Sequence, residues 1–221
     1  IFIKGNGLRV LESYVLLERI RRDCVVLREA QILDKQGNLL QRRILREFNT
    51  VWNIKRDLLI RALYDRATEL GARVHVDCPV GEVAEDGSAV IRGDRIKADL
   101  VVAADGVNSV ARRELGLNRD VTQPRSGAIR LLVPRTSFES ADMTREFWSG
   151  RLRVGVAPCT PTEVYSYLAA PLDDRQGAHA PINADYWASH FPALKAQGFF
   201  DRADVAGGVH VPSRLRRVGY V

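Results

Sequence analysis

Lysine is scarce: Lys4, Lys35, Lys55, Lys97 and Lys195 are the only lysines among the 33 basic residues of this 221-residue chain. The rest are arginines, scattered beside acids as in "ERIRRD" and "RDLLIRALYDRATE". A nucleic-acid surface would cluster basic charge and interleave aromatics. The pattern reads instead as a solvated, salt-bridged surface, so no nucleic-acid partner is expected. Cysteine is equally sparse, with Cys24, Cys78 and Cys159 far apart and in no C-x-x-C or Cys/His cluster. That excludes a disulfide framework and a zinc site, and it suits a reducing, cytoplasmic setting. His75, His179, His190 and His210 stand alone, and no Ser/His/Asp or Cys/His set points to nucleophilic catalysis. No apolar run approaches the ~18 residues of a membrane span. Residues 1–30 carry Lys4, Arg9, Glu12, Glu18 and Arg19, so they lack the uncharged block of a secretory signal. The first residue is Ile1, which reads as an internal piece of something longer.

What is present is globular: 46% hydrophobic, 27% charged, with a formal net charge of +6 that suits anionic small molecules. Residues 7–22 place Leu8, Leu11, Tyr14, Val15 and Ile20 on one helical face, with Asn6 as N-cap. Residues 24–33 and 39–48 read as strands of a hairpin around "DKQGN". The spacing of Leu59, Ala62, Leu63, Ala67 and Leu70 predicts a helix over 53–71, closed by Gly71. Short strands follow: 73–76, a hairpin turning at Asp86–Gly87, and a last strand entered through Gly93–Asp94. Beyond Gly116 the chain reads as β-rich, with strands at 126–134, 151–157 and 163–170, one helix at 185–198, and a strand beginning in "RLRRVGYV". The fold class is therefore mixed α/β.

One stretch carries chemistry. Leu100 to Ala104 are apolar without alternation, as in a strand covered on both faces. Asp105 and Gly106 follow at its tip, and Asn108 or Ser109 can cap the next helix. Ligands of open α/β sheets bind at carboxyl ends of strands. There a carboxylate accepts from ribose hydroxyls, while helix amides face phosphate. Arg112, one turn on, could pair with a carboxylate or phosphate. The plainer reading is a common Asp-Gly turn with Arg112 as a surface charge.

The pattern D-G-x-x-S-x-x-R, here Asp105, Gly106, Ser109 and Arg112, resembles the "DG" motif of group A flavoprotein monooxygenases, the para-hydroxybenzoate hydroxylase-like aromatic hydroxylases. Arg56-x-x-Leu59-x-x-x-Leu63 is similar to that family's R-x-x-L-x-x-x-L helix start. "NGLRVLE" at 6–12 resembles the helix after its second Rossmann strand, and "RLRRVGYV" the lead-in to its GD motif. The family's G-x-G-x-x-G and GD motifs are not in the chain, and Gly5-Asn6-Gly7 is no substitute.

The resemblance implies a Rossmann-like FAD-binding domain, from 1–22, 53–116 and 212–221, with a β-rich substrate domain from 23–52 and 117–211. It implies an FAD-dependent monooxygenase that hydroxylates a small aromatic molecule with NADH or NADPH and O2, through a flavin C4a-hydroperoxide. The cofactor-binding residues it implies are Arg56, Asp105, Gly106, Ser109 and Arg112. An arginine at a helix N-terminus is disfavoured by the macrodipole, which an anionic ligand would offset. No dedicated nucleophile and no metal are expected, because the flavin carries the chemistry. Arg130, Trp148, Tyr165 and Tyr167 lie on strands that could face the substrate, although core or rim packing is the plainer reading. A homo-oligomer is compatible with all of this. The alternatives are a flavin-dependent halogenase or a reductase of the same fold, or a non-catalytic nucleotide-binding domain.

Overall fold

Val164, Ser166, Leu168 and Ala170 are buried, while Tyr165, Tyr167 and Ala169 between them are only partly so. That period of two marks a strand with one face on a core. The computed structural model describes residues 1–46, 49–117, 120–122, 125–205 and 217–219. It shows a mixed α/β chain dividing into two compact units, residues 1–72 with 125–213, and residues 73–124 with 214–221.

The first unit begins with β1 (Phe2–Lys4), α1 (Gly5–Ser13), α2 (Leu17–Ile20), β2 (Cys24–Leu27), β3 (Glu29–Asp34), β4 (Leu39–Ile44), β5 (Val51–Ile54) and α3 (Arg56–Glu69). The second unit holds β6 (Val80–Val83), β7 (Ser88–Ile91), β8 (Asp94–Lys97), α4 (Val110–Glu114) and β9 (Asp120–Thr122). The chain re-enters the first with β10 (Ser126–Pro134), β11 (Met143–Ser149), β12 (Leu152–Pro158), β13 (Glu163–Pro171), α5 (Ala184–His190), α6 (Pro192–Lys195) and α7 (Phe199–Val205). Finally β14 (Arg217–Gly219) pairs with β9 in the second unit.

The first unit is organised by a six-stranded sheet of order β10-β13-β12-β11-β3-β4. Its pairs are antiparallel except β3 with β11, which run parallel. One face packs under α5, α6 and α7. There Trp187, Phe191, Leu194 and Phe199 meet Ile129, Val133, Phe147, Val154 and Leu168. A smaller core joins Leu8, Leu11, Leu16 and Ile20 to Ile54 of the antiparallel β1-β5-β2 sheet.

Several boundaries differ from the sequence reading, for local physical reasons. The helix expected over 7–22 is two helices, broken where Val15 takes φ +58°. The break turns Leu16 into the core at 1% exposure and leaves Val15 outside. The helix expected from 53 starts at Arg56, because Val51–Ile54 pair into a sheet. Its end is as expected, with Gly71 at φ +85°, a value open to glycine at little cost. Pro192 lacks the amide that would continue α5, so 185–198 also splits. Residues 73–76 form no strand. Nor do residues 100–104, and Leu100 and Val102 are 76% and 78% exposed. The expectation of a strand covered on both faces is thus corrected. A strand needs a neighbour for its backbone groups, and among the described residues none pairs with this run. Glu47 and Phe48 of the expected 39–48 strand, and 214–216, 220 and 221 of the last one, lie outside the described residues. The strand β11 escaped the sequence reading because "MTREFWS" alternates charge with bulk and forms no apolar run.

Candidate functional site

The face of the six-stranded sheet opposite the helices is polar and aromatic. The register lines up Arg130, Tyr167, Gly155, Glu146, Ile32 and Gln41 in a row across all six strands. Glu146 sits in the middle. Its Oε2 accepts from the Tyr167 hydroxyl at 2.6 Å, and its Oε1 from the Trp148 indole N–H at 2.7 Å. The Arg153 guanidinium lies over the Trp148 ring, 4.2 Å from its centroid, which holds the indole in place. Burial pushes the Tyr167 phenol far above its usual range, reinforced by the Glu146 carboxylate, so it stays a donor.

Tyr167 and Glu146 are separated by β12, and adjacent strands lie ~4.8 Å apart. The phenol spans that gap only because Gly155 has no side chain. A Cβ there would clash with the edge of the Tyr167 ring, at Cε1, Cζ and Cδ1. Gly155→Ala is therefore expected to displace Tyr167 from Glu146 and to cost about 1–3 kcal/mol through overpacking. Denaturant unfolding measures the cost. An unchanged midpoint would show that the ring swings aside freely.

A cavity of about 360 Å³ opens on this face, with Phe2, Ile32, Gln41, Arg43, Glu146 and Tyr167 on its walls. Beside it, Phe2 meets the Tyr165 ring edge-on at 6.2 Å. Burial pushes the Tyr165 phenol up, and the cations Arg130 and Arg56 pull against that shift, Arg130 also through a hydrogen bond. Arg56 thus acts electrostatically on Tyr165. It stands at the first position of α3, exposed, with no hydrogen bond or ion pair among the described residues. Lys55, one residue earlier, fixes the start of the helix to β13 through Glu163 at 3.1 Å. Of the four strand residues singled out from sequence, all are on this face. Glu146, which organises two of them, was missed. Its signal was its two-residue spacing from Trp148 on an unrecognised strand.

The D-G-x-x-S-x-x-R stretch lies in the second unit and is tightly self-bonded. Asp105 Oδ2 accepts from the Val110 amide at 2.7 Å and the Ala111 amide at 3.4 Å, both at the start of α4. The Ser109 hydroxyl, then these amides, hold the Asp105 carboxyl below the usual range, so it is ionised at neutral pH. Ser109 Oγ caps α4 by accepting from the Arg112 amide at 3.1 Å. The Arg112 guanidinium folds back, donating to the Val107 carbonyl at 2.6 Å and the Gly106 carbonyl at 3.4 Å. Gly106 has φ +77° and open space where a Cβ would stand. Serine and arginine therefore build the turn, and it presents an exposed carboxylate beside an uncovered backbone. The structure places Asp105, Gly106, Ser109 and Arg112 together, and Arg56 in the other unit.

Among the described residues no group of three or more His, Cys, Asp or Glu side chains could hold a metal ion. Cys24, Cys78 and Cys159 are free thiols. No helix among the described residues is long and apolar enough to cross a membrane.

Comparison with known proteins agrees with this architecture. The chain is 35% identical over 144 residues to a 2-heptyl-3-hydroxy-4(1H)-quinolone synthase of Mycobacteroides abscessus, covering 63% of this chain and 38% of that protein. It is 32% identical over 154 residues to the FAD-dependent monooxygenase fmqB of Aspergillus fumigatus, covering 67% of this chain and 37% of that protein. The chain thus spans well under half the length of these curated relatives. The solved tetrameric form of 2-methyl-3-hydroxypyridine-5-carboxylic acid oxygenase is similar at a TM-score of 0.83 and 26% identity, over 99% of this chain and 58% of that one. A probable FAD-dependent monooxygenase of Pseudomonas aeruginosa, pqsL, shares the fold at a TM-score of 0.68 and 17% identity, over 100% of this chain and 62% of that one. Residues 3–188 match the family described as FAD binding domain, and the chain belongs to that family.

Proposed function

We propose that the protein carrying this chain is an FAD-dependent monooxygenase that hydroxylates a small aromatic or heteroaromatic molecule, with O2 as oxidant and NADH or NADPH as reductant. The observation that carries the reading is the exposed Arg56, with no hydrogen bond or ion pair among the described residues, within electrostatic reach of Tyr165 on a polar, aromatic sheet face that has its own cavity. The relatives named above, which include FAD-dependent monooxygenases and an oxygenase of a hydroxypyridine, support the same class. The balance is one ring C–H, O2, NAD(P)H and a proton giving one C–OH, water and NAD(P)+.

Each unit by itself offers residues whose chemistry suits the cofactor. Arg56 offers a cation to a phosphate or ribityl group, which offsets its unfavourable place at a helix N-terminus. Asp105 offers an ionised acceptor to sugar hydroxyls. Gly106 leaves the backbone open to close approach. Ser109 and Arg112 hold the turn that carries them. Bound FAD would supply the redox chemistry and the activation of oxygen. The chain's own part is to orient the ring on the sheet face and to keep water from it. A cytoplasmic homo-oligomer belongs to this reading, and the similar hydroxypyridine oxygenase was solved in tetrameric form.

In the full-length protein, Asp105→Ala is expected to weaken FAD retention and NAD(P)H oxidation about tenfold or more, the scale of one hydrogen bond to a charged group. Flavin absorbance and cofactor oxidation rates measure it. Asp105→Asn keeps an acceptor for the α4 amides and separates loss of the cap from loss of the ligand. Unchanged rates in Asp105→Ala would remove the motif from the site. A colourless protein that binds no added FAD would overturn the enzyme reading.

A further inference from the structure

The middle of the sheet face has a directionality that the hydroxylase reading does not use. Each carboxylate oxygen of Glu146 has two lone-pair positions, and the hydrogen bonds present occupy one on each. The two donors pin the carboxylate from both sides, on a wall of the cavity. Two strands away, on the edge strand β4, Gln41 and Arg43 line the same cavity; the Arg43 guanidinium can only donate, and the Gln41 carboxamide carries both a donor and an acceptor. One wall therefore offers a carboxylate acceptor, and the other can offer donors from Arg43 and Gln41. Phe2 and Ile32 between them supply apolar surface for a flat ring. About 360 Å³ is small-molecule size.

We propose that Glu146 is a specificity-determining residue that accepts a hydrogen bond from a ring N–H, so that the cavity takes a neutral heteroaromatic with an N–H on one side and a carbonyl on the other. This rests on the sheet face being the substrate site. A carboxylate already bonded to two protein donors still accepts a third without moving, whereas a ring that lacks the N–H forgoes that bond and covers the remaining lone pairs with apolar surface. The Arg43 and Gln41 donors complement the carbonyl. The discrimination is thus geometric, between the centre of the sheet and its edge.

The test is calorimetric titration of the full-length protein with 4(1H)-quinolone and with its N-methyl derivative, which differs in having no N–H. Wild type is expected to bind the N–H ring about tenfold or more tighter, the scale of one charge-assisted hydrogen bond. Glu146→Gln has only one acceptor oxygen for the two donors already present, and it should lose most of that preference. Glu146→Ala should lose all of it. Tyr167→Phe, which frees a lone pair on Glu146, should retain it. Equal binding of the two rings by wild type, binding of neither, or an undiminished preference in both Glu146 variants would overturn the proposal. Flavin content, read from absorbance in the same samples, reports separately on the enzyme reading. A protein that binds no added FAD yet still discriminates the rings would sink that reading and keep this one.

Discussion

Trp187→Ala is expected to destabilise the first unit by about 3–5 kcal/mol, the range for deleting a buried large aromatic. The indole is 0% exposed, and its ring stacks on Phe191 with centroids 5.9 Å apart. It anchors α5 on the six-stranded sheet, in the same cluster as Val133, Phe147 and Leu168. Its Nε1 is buried with no hydrogen-bond partner among the described residues. That orphan donor is a cost already present in the folded state. Trp187→Phe removes the donor while keeping most of the volume, so it should be much milder than Trp187→Ala. Urea unfolding of the two variants decides the matter. A Trp187→Phe loss as large as that of Trp187→Ala would mean that the indole N–H is satisfied in solution.

Arg202→Ala should be comparably damaging near neutral pH, by about 3–5 kcal/mol, because it strands a buried carboxylate. Glu139 is 4% exposed, and its Oε1 accepts from Arg202 at 2.7 Å. Its Oε2 accepts from the Thr136 amide at 2.7 Å and hydroxyl at 2.9 Å. Arg202 also donates to the Pro134 carbonyl, so the pair ties α7 to the end of β10. Burial pushes the Glu139 carboxyl up, but Arg202 and Thr136 together bring it below the usual range. A carboxyl depressed in the folded state contributes stability above its unfolded value, about 4.3, and loses it as pH falls through the folded value. In Arg202→Ala the burial effect loses its main opponent, and the sign reverses, so the variant gains as Glu139 takes up a proton. The gap between wild type and variant should therefore be widest near neutral pH and narrow in acid. Unfolding curves at pH 7 and pH 4 measure it, and a gap that stays constant would place the pair in water.

The chemistry of the turn at Asp105 was legible in the sequence because it is local. Asp105, Ser109 and Arg112 satisfy one another within eight residues, and glycine at 106 answers a positive φ. The Asp34–Asn38 turn was legible for the same reason. Asp34 Oδ1 accepts the Gln36 and Asn38 amides at 2.9 Å and 2.8 Å. The run 100–104 was misread because apolarity reports a preference for burial and says nothing of which partner meets it. Here Leu100 and Val102 lie exposed. The helix over 53–71 showed the same limit. Its spacing predicted the element, yet in the helix that forms, Arg56–Glu69, no side chain is buried, since that depends on what stands opposite.

By itself the sequence determined the mixed α/β class, most of the strands and turns, and the self-bonded turn at Asp105, since each depends on residues close together in the chain. Only the tertiary structure decided that Glu146, Gly155 and Tyr167 act as one unit. They come from three strands, and nothing in their spacing along the chain reveals their register. A glycine in a strand reads as a weakness. Between Tyr167 and Glu146 it is the gap that lets a phenol reach a carboxylate two strands away, because strand spacing leaves room for a ring only where no Cβ intervenes.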